Sequence, residues 1–157
     1  MNGLNLSRVL LDTGWLFFLI FLFYHFWQDR QTLSKAQSWL KTKGRITQCE
    51  WMKQGHNLWP KIEYTYQVYE RDLIGHYLFL DTSHNNPNSR YSRRVAYKMA
   101  MAFKEETEID VYYNPNNPEQ SALDVTMPWK LNLIILLVGL FLALHVIIIL
   151  LHVTGLL

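Results

Sequence analysis

Apolar positions along this chain fall into two unbroken runs at the ends and a set of short alternating stretches between them. Val9 to Trp27 reads VLLDTGWLFFLIFLFYHFW, 19 residues with one formal charge, Asp12, near its start. Leu131 to Leu151 reads LNLIILLVGLFLALHVIIILL, 21 residues with none. A helix rises about 1.5 Å per residue, so about 20 residues cross a hydrocarbon layer of about 30 Å. Neither run carries the polar stripe of a helix packed on a soluble core. Both therefore predict transmembrane helices, over 9–27 and 131–151. Arg8 alone precedes the first run and Gln28-Asp29-Arg30 is no small-residue cleavage site, so an uncleaved anchor is expected rather than a signal peptide. Trp15, Tyr24, Trp27 and Trp129 fall near the boundaries, where aromatic belts form.

Between the runs the period changes. Residues 28–41 space Leu33, Ala36 and Leu40 for a helix leaving the first span, with Gly44 as its stop. Ile46 to Met52 predicts a strand of poor alternation. Lys61 to Tyr69 alternates cleanly, with Ile62, Tyr64, Tyr66 and Val68 on one face. A second strand over Leu73 to Asp81 would complete a hairpin across a Glu70-Arg71-Asp72 turn. Residues 82–90 read as a loop, and Ser89 or Ser92 as the cap of a helix over Tyr91 to Lys104. In that helix Tyr91, Val95, Met99 and Phe103 recur every four residues and predict the buried face. Glu108 to Tyr113 alternates again, Asn114-Pro115-Asn116-Asn117-Pro118 is a turn, and Ser121 to Val125 a short last strand. The expected fold is a membrane α+β protein: two transmembrane helices flanking a small antiparallel β domain, residues 28–129, with one helix.

Composition narrows the function classes. Fifteen basic against 13 acidic side chains leave no bulk charge for nucleic-acid binding. One cysteine, Cys49, excludes an internal disulfide and a cysteine-only zinc cluster. Near the spans the middle region offers Arg30, Lys35, Lys41, Lys43, Arg45 and Lys130, against Arg8 in the tails. That bias places residues 28–129 on the cytoplasmic side of the membrane.

Candidate chemistry is sparse. His76, Asp81 and His84 are the zinc-like set outside the spans, without a spacing that locks them onto one surface. His25 and His145 lie at opposite ends of their spans, too far apart for one ion at a bond of about 2 Å. Glu105, Glu106, Glu108 and Asp110 read as a solvated junction, and no GxSxG elbow or phosphate-cradling loop occurs. No catalytic residue, metal or cofactor is expected. Two groups suggest contacts instead. Arg90, Arg93, Arg94 and Lys98 form a basic helix face suited to lipid or an acidic partner. Gly139 and Ala143 make a small-xxx-small step, with His145 beside them, suited to helix packing.

The stretch VYYNPNNPEQSAL, Val111 to Leu123, resembles the signature of the membrane family known as domain of unknown function 3592. Trp39 with Gly44-Arg45-Ile46 is similar to that family's opening strand, and Pro60 to Val68 to its central one. Gly75 fits the small residue of the next strand. The glycine this family often places in the central hairpin is matched here by Glu70. The glycine that usually precedes the Val111 strand is replaced around Glu106-Thr107. The resemblance implies a bacterial envelope protein with a small β-rich domain, and transfers no catalytic residue. Together these readings predict a membrane-anchored, non-enzymatic module that contacts the bilayer and another membrane protein or a second copy, with no nucleic-acid partner. The alternatives are a transport or regulatory component sensing lipid or protons, and an immunity protein against an envelope toxin.

Overall fold

A computed structural model describes residues 3–81 and 84–154, in the order α1 (Gly3–Ala36), β1 (Leu40–Gln54), β2 (Asn57–Val68), β3 (Arg71–Gly75), α2 (Arg90–Lys104), β4 (Ile109–Asn114), β5 (Asn117–Ala122) and α3 (Trp129–Val153). Contacts divide the chain into a helical unit, Met1–Arg30 with Pro128–Leu157, and a β unit, Gln31–Met127. Helices α1 and α3 are each long and apolar enough to cross a membrane.

In the helical unit the less exposed positions recur every three or four residues. On α1 they include Asp12, Leu16, Leu19, Phe23, Phe26 and Arg30; on α3, Leu131, Ile135, Val138, Leu142, His145 and Ile149. A period near 3.5 is the seam of two helices packed side by side. Polar contacts mark its two ends. Arg30 Nε donates to Asn132 Oδ1 at 3.0 Å, and His145 Nε2 lies 3.1 Å from the Asp12 carbonyl oxygen.

The β unit is a five-stranded sheet in the order β3-β2-β1-β4-β5, with every ladder antiparallel. Three consecutive strands followed by a fourth that returns beside the first is a Greek key. The sheet also curls until its ends meet. Leu123 N donates to the Tyr77 carbonyl at 3.2 Å and Asp124 N to that of Leu78 at 3.0 Å, with a parallel bridge between Phe79 and Asp124. A five-stranded, partly open Greek-key barrel is also the architecture of oligonucleotide- and oligosaccharide-binding folds. Shared architecture assigns no ligand.

The alternating stretches supply the core. Ile62, Tyr64, Tyr66 and Val68 from β2 and Ile109, Val111 and Tyr113 from β4 are buried, as their period of two predicts. Tyr64, fully enclosed, accepts or donates at Ser121 Oγ (3.0 Å) and donates to the Tyr77 carbonyl (3.1 Å). Tyr66 Oη donates to the Pro118 carbonyl at 2.6 Å. These bonds tie β2 to both closing edges. The Asn-Pro turn is held by Asn116 N donating to Asn114 Oδ1 at 3.0 Å.

Five local expectations are corrected. The helix ends at Ala36 and Leu40 already belongs to β1. Gly44 is no helix stop: it sits inside β1, where a Cβ would stand 2.5 Å from the Thr65 carbonyl and 2.8 Å from Val111 Cγ2. Strand β3 ends at Gly75, not Asp81, because the chain from His76 crosses toward the barrel closure. The β2–β3 turn is Tyr69-Glu70, both at positive φ (50° and 61°), so Arg71 and Asp72 pair in β3. The fifth correction concerns α2. Ser92, Ala96 and Met99 face the barrel, while Tyr91 and Phe103 are exposed. Residues four apart drift about 40° per step on a helix of 3.6 residues per turn, so the ends of that series leave the face.

Candidate interaction surfaces

Helix α2 starts where Ser89, in extended backbone, accepts from Ser92 N at 3.4 Å. Its inward face carries the small side chains of Ser92 and Ala96, which let the backbone approach the barrel. Ser92 Oγ is buried without a hydrogen-bond partner among the described residues. The outward face therefore collects the long side chains. Arg90, Arg93, Arg94 and Lys98 are all exposed, with Tyr97 between them. No ion pair within the described residues engages any of the four.

Beside α2 runs a groove of about 720 Å³ against β4 and the segment after β5. Arg94 and Lys98 line one wall; Glu108, Asp110 and Asp124 line the other. Two of these acids are already engaged. Asp110 accepts from Lys43 at 2.7 Å and Lys41 at 3.4 Å. Lys43 first, then Lys41, holds its carboxyl below the usual range, and Lys43 is raised in return. Asp124 accepts from Tyr91 Oη at 2.7 Å.

The zinc-like set is taken apart. His76 is exposed and lies 3.8 Å from Glu63, whereas Asp81 and His84 are buried together. Asp81 Oδ1 meets His84 Nδ1 at 2.9 Å and Asp81 Oδ2 accepts from His84 N at 3.0 Å. The His84 ring lies against Phe79 and Tyr91, each 5.1 Å away between centroids. This pair closes the loop and stacks under α2. Among the described residues no three potential ligands converge. Glu105, Glu106 and Glu108 are exposed, and burial pushes the Cys49 thiol up, away from a reactive thiolate.

On α3, Gly139 is partly buried, and a Cβ there would lie 3.4 Å from the Phe23 ring. His145 belongs to the same seam through Asp12. Ala143 is exposed, outside that seam: the seam steps from Val138 to Leu142, whereas a step of four from Gly139 lands one residue further round.

One surface is absent from the sequence-based expectations. At the tip of the β1–β2 hairpin, Trp51, Met52 and Leu58 stand in the open. The signal was present in the poor alternation of Ile46 to Met52, since a ribbon apolar on both faces has no period of two.

No curated protein and no solved structure matches the chain. One family model, described as domain of unknown function (DUF3592), matches residues 42–128, from β1 through the barrel to the start of α3. The matched region contains the opening strand at Gly44, the central strand at Tyr64 and the Asn-Pro turn that fastens Tyr66, so the chain belongs to the DUF3592 family.

Proposed function

We propose that this protein is a membrane-anchored, non-enzymatic interaction module of the bacterial inner membrane, accessory to another membrane protein. The observation that carries the reading is the outward face of α2. Arg90, Arg93, Arg94 and Lys98 project from a β unit whose chain runs at both ends into helices of spanning length, and none forms an ion pair among the described residues. Unpaired cations on one face attract an acidic partner and raise its rate of encounter. The candidate chemical groups, by contrast, already serve the fold: Asp81 holds His84, Asp110 holds two lysines, and Tyr64 ties the barrel edges. The charge bias across the spans supports a cytoplasmic β unit.

The test uses the full-length chain. Arg90, Arg93, Arg94 and Lys98 are changed together to glutamine, and cross-linked partners are recovered from native membranes. The expected result is loss of a partner seen with the unaltered chain, at unchanged membrane abundance. Recovery of the unaltered chain with nothing cross-linked to it overturns the reading. For orientation, a membrane-impermeant maleimide should label Cys49 only after lysis; labelling in intact cells reverses the sidedness. The regulatory alternative rests on His145. Its contact with the Asp12 carbonyl favours a packing role, so His145→Leu should change helix pairing rather than any proton-dependent phenotype.

A further inference from the structure

The β1–β2 hairpin runs past the rest of the sheet. β4 pairs with β1 over Leu40–Gly44 and β3 pairs with β2 over Tyr64–Val68, so among the described residues the ladder from Cys49–Ile62 to Gln54–Asn57 has no neighbouring strand on either edge. Gly55, at φ 61°, closes its tip and has nothing within 4 Å of where a Cβ would be. The cross-strand pairs alternate faces. Trp51 with Pro60 and Lys53 with Leu58 lie on one; Met52 with Trp59 lies on the other. Trp59 stacks on Phe79 at 6.5 Å, but Trp51, Met52 and Leu58 are 50%, 53% and 62% exposed. A ribbon apolar on both faces and open to solvent marks a contact surface.

The surrounding charge identifies the contact. From Gln48 to Lys61 the bases are Lys53 and Lys61, with His56 at the turn, and Glu50 is the one acid. Asn57 Nδ2 donates to Asn88 Oδ1 at 2.7 Å, which fastens the tip to the loop two residues before Arg90. Arg90, which opens α2, follows two residues after that contact. Tryptophan favours the membrane–water boundary, and a cation near anionic lipid contributes about 1 kcal/mol. The open backbone edges keep the ribbon out of the hydrocarbon centre, where unpaired N–H and C=O groups are not tolerated. We infer that the β1–β2 tip is a peripheral bilayer-binding element: Trp51, Met52 and Leu58 enter the headgroup boundary, and Lys53, Lys61 and Arg90 hold anionic lipid phosphates. The inference rests on the membrane-anchored reading, but not on a protein partner at α2.

The experiment is spin-label depth measurement on the full-length chain in liposomes containing phosphatidylglycerol. In a Cys49→Ser background, single cysteines are placed at Leu58, at Asn116 on the exposed β4–β5 turn, and at Leu140 on the exposed side of α3. The expected result is a several-fold higher ratio of oxygen to nickel-complex accessibility at Leu58→Cys than at Asn116→Cys. That difference should shrink when phosphatidylcholine replaces phosphatidylglycerol or when Lys53→Gln and Arg90→Gln are added. A Leu58→Cys label as water-accessible as Asn116→Cys, with Leu140→Cys in lipid, overturns the tip while leaving the anchor intact. A water-accessible Leu140→Cys overturns the anchor and the tip with it. Dipolar broadening between Leu58→Cys labels means that the ribbon pairs with a second copy, which also overturns the proposal.

Discussion

Three described non-glycine residues, Tyr69, Glu70 and Glu106, hold backbone conformations that their side chains resist. Glu70 at φ 61° and Glu106 at φ 53° lie in the left-handed region, which costs a non-glycine residue about 1–2 kcal/mol. Both side chains are exposed. Glu70→Gly and Glu106→Gly should each stabilise the β unit by about 0.5–1 kcal/mol after the extra chain entropy of glycine is subtracted, read as a raised unfolding midpoint of the detergent-solubilised chain. Tyr64 behaves oppositely. Burial raises its phenol far above the ordinary value near 10, outweighing the lowering by Ser121. The folded state keeps a proton that the unfolded chain releases, so this contribution is full below about pH 10 and is lost as pH climbs above it. Tyr64→Phe should cost about 1 kcal/mol at neutral pH, through the abandoned Ser121 and Tyr77 partners, and should flatten the alkaline decline in stability.

At the scale of elements, the helix seam makes a sharp distinction between neighbours. Gly139 touches Phe23, so Gly139→Leu must push α1 and α3 apart; overpacking of this kind costs about 1–3 kcal/mol. Ala143 is exposed, so Ala143→Leu should leave pairing unchanged. Cysteine cross-linking between Leu16 and Leu142 variants, compared with and without each leucine, checks both. The same seam explains what could be read from the chain. Spans, strand faces and the Ser89 cap depend on neighbours in sequence, and Ile62, Tyr64, Tyr66 and Val68 were legible for that reason. Gly44 was not. A glycine after an apolar helical run has the look of a stop, and its real cause, the approach of Thr65 and Val111, exists only once β2 and β4 flank β1. The α2 face failed because small residues, Ser92 and Ala96, set the contact, while the larger Tyr91 and Phe103 drew the eye. The Tyr69-Glu70 turn carries no glycine or asparagine to announce it. The basic residues of α2 were visible as a cluster, whereas the hairpin tip declared itself only as a failed alternation.

For the whole molecule, the β unit begins and ends in chain that continues into the helical unit. Pairing of α1 with α3 closes a loop of about 100 residues, and a covalent closure of that length removes about 4–5 kcal/mol of unfolded-chain entropy. An excised Gln31–Met127 fragment should therefore unfold at markedly lower urea than the intact chain, by up to several kcal/mol. Equal midpoints would mean that helix pairing lends the barrel nothing. The order of the strands has a bearing on synthesis. β1 leaves the ribosome early and binds β2 at once through a two-residue turn, but its other edge waits for β4, and closure waits for Leu123 and Asp124. Those residues emerge directly ahead of α3. The nascent barrel stays ajar until the stretch just before α3 has been made, so a product truncated ahead of Leu123 would leave both outer edges of the sheet unpaired.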